Sequence, residues 1–252
     1  MSRKLGDLFH HHNHSGVNDM SGKPSIVFCH GLWADGSCFS KLIPTLRAEG
    51  YECITAEYGL DSLQGDVDCT IRALGRVSSP AFLVGHSQGG TVITAAGIDD
   101  RVIGLVYLCA LAPDETETSQ SQQDKFPATD VFSHIEVADN RVWLLRSGID
   151  YFCGDLTPDE KEIVWATSMS PVADLFTQNV EGTAWRTKPS AYIVGTHDHT
   201  VNPELERAVS KRMGATTYEI DSDHVPMMSH PEAVLTAIRD LVGSCQESLA
   251  TA

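Results

Sequence analysis

The chain reads as an α/β protein: a mostly parallel six-stranded sheet with helices on both faces and a helical insertion between its fourth and fifth strands. Three observations predict this. Short apolar or β-branched runs alternate with amphipathic helical stretches from Ser25 onward. Several of those runs are apolar at consecutive rather than alternate positions, as strands buried on both faces of a parallel sheet require. The alternation is broken once, after Pro113, by a polar stretch without a strand pattern.

Taken in order, "SIVFC" (25–29) is the first buried strand. "FSKLIPTLRAEG" (39–50) is a helix in which Pro44 is tolerable only near the first turn and Gly50 is the stop. "YECITAE" (51–57) is the second strand, and helical spacing runs through "LDSLQGDVDCTIRALGRV". "AFLVG" (81–85), a helix from about Gln88 to Gly97 and "VIGLVYLCAL" (102–111) complete the first half. Residues 114–186 read as an insertion of helices and loops, with "TPDEKEIVWATSM" starting at a capping Thr157. The alternation resumes with "SAYIVG" (190–195), a helix over "NPELERAVSKRM", the strand "TTYEI" (216–220) and a last helix, "HPEAVLTAIRDLVG" (230–243). The expected organisation is a core of 25–113 and 187–243, an inserted helical cap of 114–186 and a tail of 244–252. No internal repeat interrupts it.

Residues 1–24 are polar and irregular, and the His-rich "HHHNH" (His10 to His14) reads as a disordered or appended tail rather than a metal site. A second plausible start, Met20, precedes the first strand. With 18 Lys and Arg against 34 Asp and Glu, a net charge of -16, the chain should repel phosphate backbones and anionic lipid. Neither nucleic acid nor membrane is expected as a partner. Seven cysteines, an odd number without a C-x-x-C pair, read as reduced thiols, and no signal-peptide block opens the chain. A cytoplasmic location is the expectation.

The chemistry centres on Gly85-His86-Ser87-Gln88-Gly89, a G-x-S-x-G set between a strand and a helix. In that context a tight turn holds the serine at a helix N-terminus, where free N–H groups favour a developing oxyanion. A serine hydroxyl is a weak nucleophile and needs a histidine and a carboxylate from other loops at the same sheet edge. Asp198 follows "SAYIVG" and His224 follows "TTYEI", both at the carboxyl end of a strand where ligands of such sheets bind. His230 competes as base and Asp114 as acid. His230 reads better as the start of the last helix, and Asp221 and Asp223 as turn residues beside His224. His197 and His199 in "HDHT" could ligate metal, but no second spaced cluster accompanies them, and they read as solvated loop residues. The oxyanion hole falls to the backbone N–H groups of Gln88 and of Leu32, in "CHGLWADG" after the first strand, with His30 as a buried support for that loop.

Four blocks, "HGLWADGS", "VGHSQGG", "AWRTKPS" and "SDHVPMMSHP", make the chain resemble the α/β-hydrolase superfamily from Ser25 to about Gly243. The likeness is to small bacterial serine hydrolases, and the last block is also similar to plant methylesterases and hydroxynitrile lyases. The resemblance implies a Ser87–Asp198–His224 triad, an oxyanion hole from Leu32 and Gln88, and a helical cap over the site. In many relatives arginine follows the acid, where His199 stands here.

The activity this implies is hydrolysis of small to medium hydrophobic carboxylic esters or lactones through an acyl-enzyme on Ser87, with no cofactor and no metal. Trp33, Phe39, Phe152 and Trp165 are the substrate-binding candidates, with Trp143, Tyr151, Met169 and Phe176 as further large apolar cap residues. A homodimer is compatible with the sequence. Two other readings stand beside the esterase: a hydroxynitrile lyase, which would want a lysine that "DSDHVPMMSH" lacks, and a receptor-like ligand-binding protein with slow turnover. Epoxide hydrolase and dehalogenase chemistry needs a carboxylate where Ser87 stands.

Overall fold

The computed structural model describes residues 22–78 and 80–252, so the His-rich patch of the N-terminal tail lies outside the described residues. Strands β1 (Ser25–Cys29), β2 (Glu52–Ala56), β3 (Ala81–His86), β4 (Val102–Leu108), β7 (Ser190–Gly195) and β8 (Thr216–Ile220) form one sheet in the order β2-β1-β3-β4-β7-β8. Every neighbouring pair is parallel. The central strands are covered on both faces: Ile26, Val27, Phe28, Phe82, Leu83, Val84, Leu105 and Val106 are all fully buried. The parallel strands need crossover connections, and the helices in these connections cover the sheet. On one face α2 (Leu63–Leu74) packs on α3 (Gln88–Ala96), and an Arg239–Glu49 ion pair ties the long last helix to the end of α1 (Ile43–Ala48).

Register decides where the loops emerge. Cys29 pairs with Gly85, His86 with Leu108, and Gly195 with Ile220, so the segments after β1, β3, β4, β7 and β8 leave the sheet at one edge. That edge carries the candidate site, as expected of ligands bound at the carboxyl ends of parallel strands.

Three elements differ from the sequence reading. The helix expected over 39–50 is shorter: a 3-10 turn fills Gly36–Phe39 and α1 begins one residue before Pro44. Proline lacks the N–H that an interior position must donate, so the helix can only start around it. The last helix, α9 (Pro231–Ala250), runs past Gly243 through most of the expected tail. A mid-helix glycine costs only about 1 kcal/mol, and the extra turns bury Cys245 near the start of β4, beside the Ile103 carbonyl.

The third difference is in the insertion. It holds α4 (Ser119–Gln123), α5 (Ile149–Cys153) and α6 (Pro158–Ala166), the last opened by a Thr157–Glu160 capping box. It also holds an antiparallel hairpin, β5 (Ile135–Ala138) with β6 (Arg141–Leu144), where helices and loops were expected. Its two-residue turn, Asp139-Asn140, has φ of 53° and 57°. That is a turn whose twist matches paired strands and which aspartate and asparagine tolerate best after glycine.

All seven cysteines are free thiols. No helix among the described residues is long and apolar enough to cross a membrane.

Candidate active site

The elbow after β3 is a tightly constrained turn. Ser87 has φ 55° and ψ -122°, a sparsely populated conformation that costs a non-glycine residue roughly 1–3 kcal/mol. Its surroundings impose it: the Ser87 N–H donates to the Leu108 carbonyl at 3.1 Å, and its own carbonyl accepts from Gly90 at 2.9 Å and Leu111 at 3.1 Å. Close approach explains the glycines. A Cβ on Gly89 would lie 2.1 Å from the Cys29 carbonyl oxygen, and one on Gly31 would lie 2.7 Å from the Ser87 Cβ. The loop after β1 is thereby pressed against the elbow.

Ser87 occupies the N-cap position of α3 without capping it, its hydroxyl making no cap hydrogen bond. The N–H groups of Leu32 and Gln88 also donate to no group among the described residues. Both flank Ser87, with the α3 N-terminus adding positive potential. The Leu32 loop is held from below and above. His30 Nδ1 lies 2.8 Å from the Gly31 carbonyl, its ring stacks on Tyr58 at 4.3 Å, and Tyr58 donates to the His30 carbonyl. Trp33, at φ 56°, donates its N–H to Met169 and its indole N–H to Val142, both in the insertion.

Asp198 and His224 come together as a fully buried pair. His224 Nδ1 lies 2.7 Å from Asp198 Oδ2, and because a carboxylate only accepts, Nδ1 carries the proton. Asp198 Oδ1 accepts the Thr200 and Val201 N–H groups at 2.7 and 2.9 Å. Burial opposes the Asp198 charge, but His224 and these donors outweigh it and hold the carboxyl below the usual range. His224 Nε2 is buried with no partner. The His86 ring lies 4.6 Å from that of His224 and its Nε2 donates to the His224 carbonyl at 2.7 Å, which sets the histidine loop beside the residue preceding Ser87. Burial and the neighbouring His224 push His86 down to about 3, so it stays neutral there. Ser87 Oγ and His224 Nε2 share no hydrogen bond in this structure, a contact that often tightens only with substrate bound.

The competing residues are engaged elsewhere. Asp114 faces Arg212 at 3.6 Å and Arg186 at 3.9 Å. Asp223 and Asp155 exchange hydrogen bonds with each other's N–H groups at 2.9 Å, fastening the insertion to the His224 loop. His197 bridges Asp155 and Asp221, His199 pairs with Asp130, and His230 opens α9. Among the described residues, the group able to hold a metal is Cys109, Asp198, Glu206 and His224, each with one donor atom within 4.8 Å of the others. Their chemistry suits a proton network better, since burial keeps the Cys109 thiol protonated and Asp198 already binds the His224 proton.

Above Ser87 a narrow pocket is lined by Leu32, Trp33, Leu111, Gln123, Phe132, Phe152, Phe176, Thr200 and Val201. Six of these (Leu32, Trp33, Gln123, Phe132, Phe176 and Thr200) also line a cavity of about 370 Å³ under the insertion. Its remaining walls include the apolar Phe126, Ile135, Val142, Val172 and Leu175 and the polar Gln120, Thr129, Thr177 and Asn202; the single formal charge is Asp124, at the exposed rim. Of the sequence candidates, Trp33, Phe152 and Phe176 line the pocket, Trp33 and Phe152 packed edge to face at 5.8 Å. Phe39 instead packs on Phe28 in the core, and Trp165 lies beneath Arg146 at 4.4 Å; neither lines these cavities. Tyr151 stacks on His134, and Trp143 is exposed on the hairpin. Ile135 and Val142 are on the hairpin that the sequence reading lacks, although "VADNRV" carries its turn signal, and Phe132 sits on the 3-10 turn Asp130–Ser133 just before it.

The sequence profile described as the Alpha/beta hydrolase family matches residues 26–237. A pyrethroid hydrolase of Sphingobium wenxiniae is 27% identical, over 90% of this chain and 90% of that protein. A carbendazim hydrolyzing esterase of a Nocardioides species is 33% identical over 37% of this chain and 45% of its own length. Among solved structures, polyneuridine aldehyde esterase superposes with a TM-score of 0.75 over 87% of this chain and 99% of that one, at 17% identity.

Proposed function

This chain belongs to the alpha/beta hydrolase family, and on that premise we propose that it hydrolyses neutral, hydrophobic carboxylic esters or lactones through an acyl-enzyme on Ser87. The observation that carries the reading is a buried histidine whose Nδ1 is bonded to Asp198 at 2.7 Å and whose Nε2 has no partner among the described residues, on a loop fastened at its carbonyl to His86, the residue before the strained strand-to-helix elbow at Ser87. The relatives that cleave pyrethroids and carbendazim support ester hydrolysis as the general class.

In the scheme, Ser87 Oγ attacks the ester carbonyl as His224 Nε2 takes its proton, and the oxyanion is bound by the Leu32 and Gln88 N–H groups. Protonated His224 then gives its proton to the leaving alkoxide oxygen. Water, deprotonated by the same nitrogen, attacks the acyl-enzyme and releases the acid and Ser87. Asp198 keeps His224 in the tautomer that leaves Nε2 free and balances its transient positive charge.

Substrate preference follows from the lining. A cavity of about 370 Å³ with largely apolar walls, a few neutral polar side chains and no cationic residue offers no charge partner to a substrate carboxylate, and the net charge of -16 repels one at a distance. Neutral esters with one bulky apolar group fit it. The test is labelling with a fluorophosphonate and turnover of p-nitrophenyl esters of rising chain length by wild type and Ser87→Ala. Wild type should be labelled on Ser87 and the variant should be neither labelled nor active; a variant as active as wild type ends the proposal.

A further inference from the structure

Helix α7 (Pro203–Met213) turns Leu205 and Val209 toward the sheet, and on the same buried side it carries Glu206, with no solvent exposure at all. A carboxyl is rarely buried so completely without a charged partner. Glu206 Oε2 accepts the Gly195 N–H at 2.9 Å, while Oε1 is buried and accepts from no donor among the described residues. One polar atom from each of Glu206, Asp198, His224 and Cys109 falls within a cluster 4.8 Å across. Asp198 is the acceptor in that cluster: Oδ1 takes two backbone N–H groups and Oδ2 takes His224, which leaves Oδ2 one lone-pair direction.

The acids facing Glu206 disfavour a second negative charge there or leave it uncompensated. Asp198 is ionised and Cys109 and Tyr192 are buried neutral acids; the Gly195 N–H and Arg207, the latter exposed on the same helix and paired with Glu204 and Glu219, pull the other way without prevailing. Burial first, and then the Asp198 charge and the hydrogen bond shared with it, raise the Glu206 carboxyl well above the usual carboxylate range. Two carboxylates this close in a dry site share one proton rather than ionise together.

We propose that Glu206 is a positioning residue for the Asp198–His224 pair, its carboxylic acid donating a hydrogen bond to Asp198 that fixes the orientation of that carboxylate and tempers its charge. The proposal rests on the reading of Asp198 and His224 as the catalytic acid and base. With the donor in place, Asp198 orients His224 without holding the protonated ring too tightly, so that the proton passes on to the leaving alcohol. Without it, Asp198 binds the imidazolium more strongly, and the acidic limb of kcat/KM moves to higher pH.

The test compares Glu206→Gln, which keeps a neutral donor and the acceptor for Gly195, with Glu206→Leu, which removes both, in the full-length protein. Glu206→Gln should keep kcat/KM within about threefold and leave the acidic limb where it was, because it changes hydrogen-bonding atoms but no charge. Glu206→Leu should lose about tenfold or more in kcat, as expected for a hydrogen bond to a charged group, with KM little changed and the acidic limb displaced upward. Infrared spectroscopy near neutral pH should show a buried carboxylic-acid band that Glu206→Gln abolishes; that readout and the Gln variant stand even if the Leu variant fails to fold. The proposal is overturned by a missing acid band, by an acidic limb that moves down in Glu206→Gln as it would on losing a negative charge, or by a Glu206→Leu enzyme with the wild-type profile. Failure of the underlying reading is recognised separately, by a Ser87→Ala enzyme that stays active while the acid band persists.

Discussion

Replacing Asp198 by asparagine tests the relay at the point where the structure is most explicit. Oδ1 accepts two backbone N–H groups, from Thr200 and Val201, at 2.7 and 2.9 Å. An asparagine must keep its carbonyl oxygen there, because turning the amide round would set its NH₂ against two donors. The NH₂ is then forced toward His224 Nδ1, the atom now 2.7 Å from Oδ2. Nδ1 becomes an acceptor, the ring proton moves to Nε2, and the nitrogen that should deprotonate Ser87 no longer can. A triad with its histidine in the wrong tautomer loses about 10⁴ in kcat, or about 5 kcal/mol of barrier at 1.36 kcal/mol per decade. The assay is kcat and KM on a p-nitrophenyl ester near neutral pH, with circular dichroism to verify the fold. Fluorophosphonate labelling should slow in parallel, since it uses the same activated hydroxyl. Retention of more than a tenth of kcat, or a loss confined to KM, would refute the reasoning. So would Asp114→Asn producing the collapse instead; that residue faces Arg212 and Arg186 and should be replaceable with little effect.

Other consequences follow from backbone, cavity and charge. Ser87→Gly removes the hydroxyl but relieves the strained φ of 55°, so activity should vanish while Tm rises by about 2–4 °C per kcal/mol relieved; a lower Tm in a scanning calorimeter contradicts the strain. Val172 lines the large cavity but not the narrow pocket at Ser87, so Val172→Trp should cut kcat/KM for a naphthyl or long-chain ester by about tenfold and leave p-nitrophenyl acetate nearly unchanged. Loss on both substrates alike would mean the cavity does not hold the bulky group. The raised Glu206 carboxyl stabilises the fold fully only below its unfolded-state pKa and loses that contribution as pH climbs toward the folded value. Glu206→Gln should therefore be more stable than wild type near pH 8, with the difference in Tm shrinking toward pH 4; a constant difference across that range argues for an ionised Glu206.

Much of the site was legible because its parts obey a local rule. Ser87, Asp198 and His224 each follow a strand, and the strands announce themselves as short apolar runs, so their order along the chain and their common sheet edge could be inferred without coordinates. The sheet itself was legible for the same reason. Less local features were not. Phe39 looked like a ligand contact from its place near the oxyanion loop, but the 3-10 turn before α1 directs it into the core against Phe28. Trp165 lies on α6, whose apolar residues show no strong one-sided pattern, and it faces Arg146. Glu206 is not singled out by the sequence reading of "NPELERAVSKRM", although its position three before Val209 puts it on the buried side.

The sequence by itself determined the α/β architecture, the elbow at Ser87 and the short set of acids and bases that could serve it, because these depend on periodicity and turn chemistry within a few residues. Only the tertiary structure decided which acid meets which base, that a second buried carboxyl stands behind Asp198, and that a hairpin from the insertion walls the cavity. Those facts depend on side chains far apart in the chain converging in a space from which water is excluded. There, burial and a neighbouring charge decide which of two carboxyls keeps its proton, and neither burial nor neighbourhood is a local property of the chain.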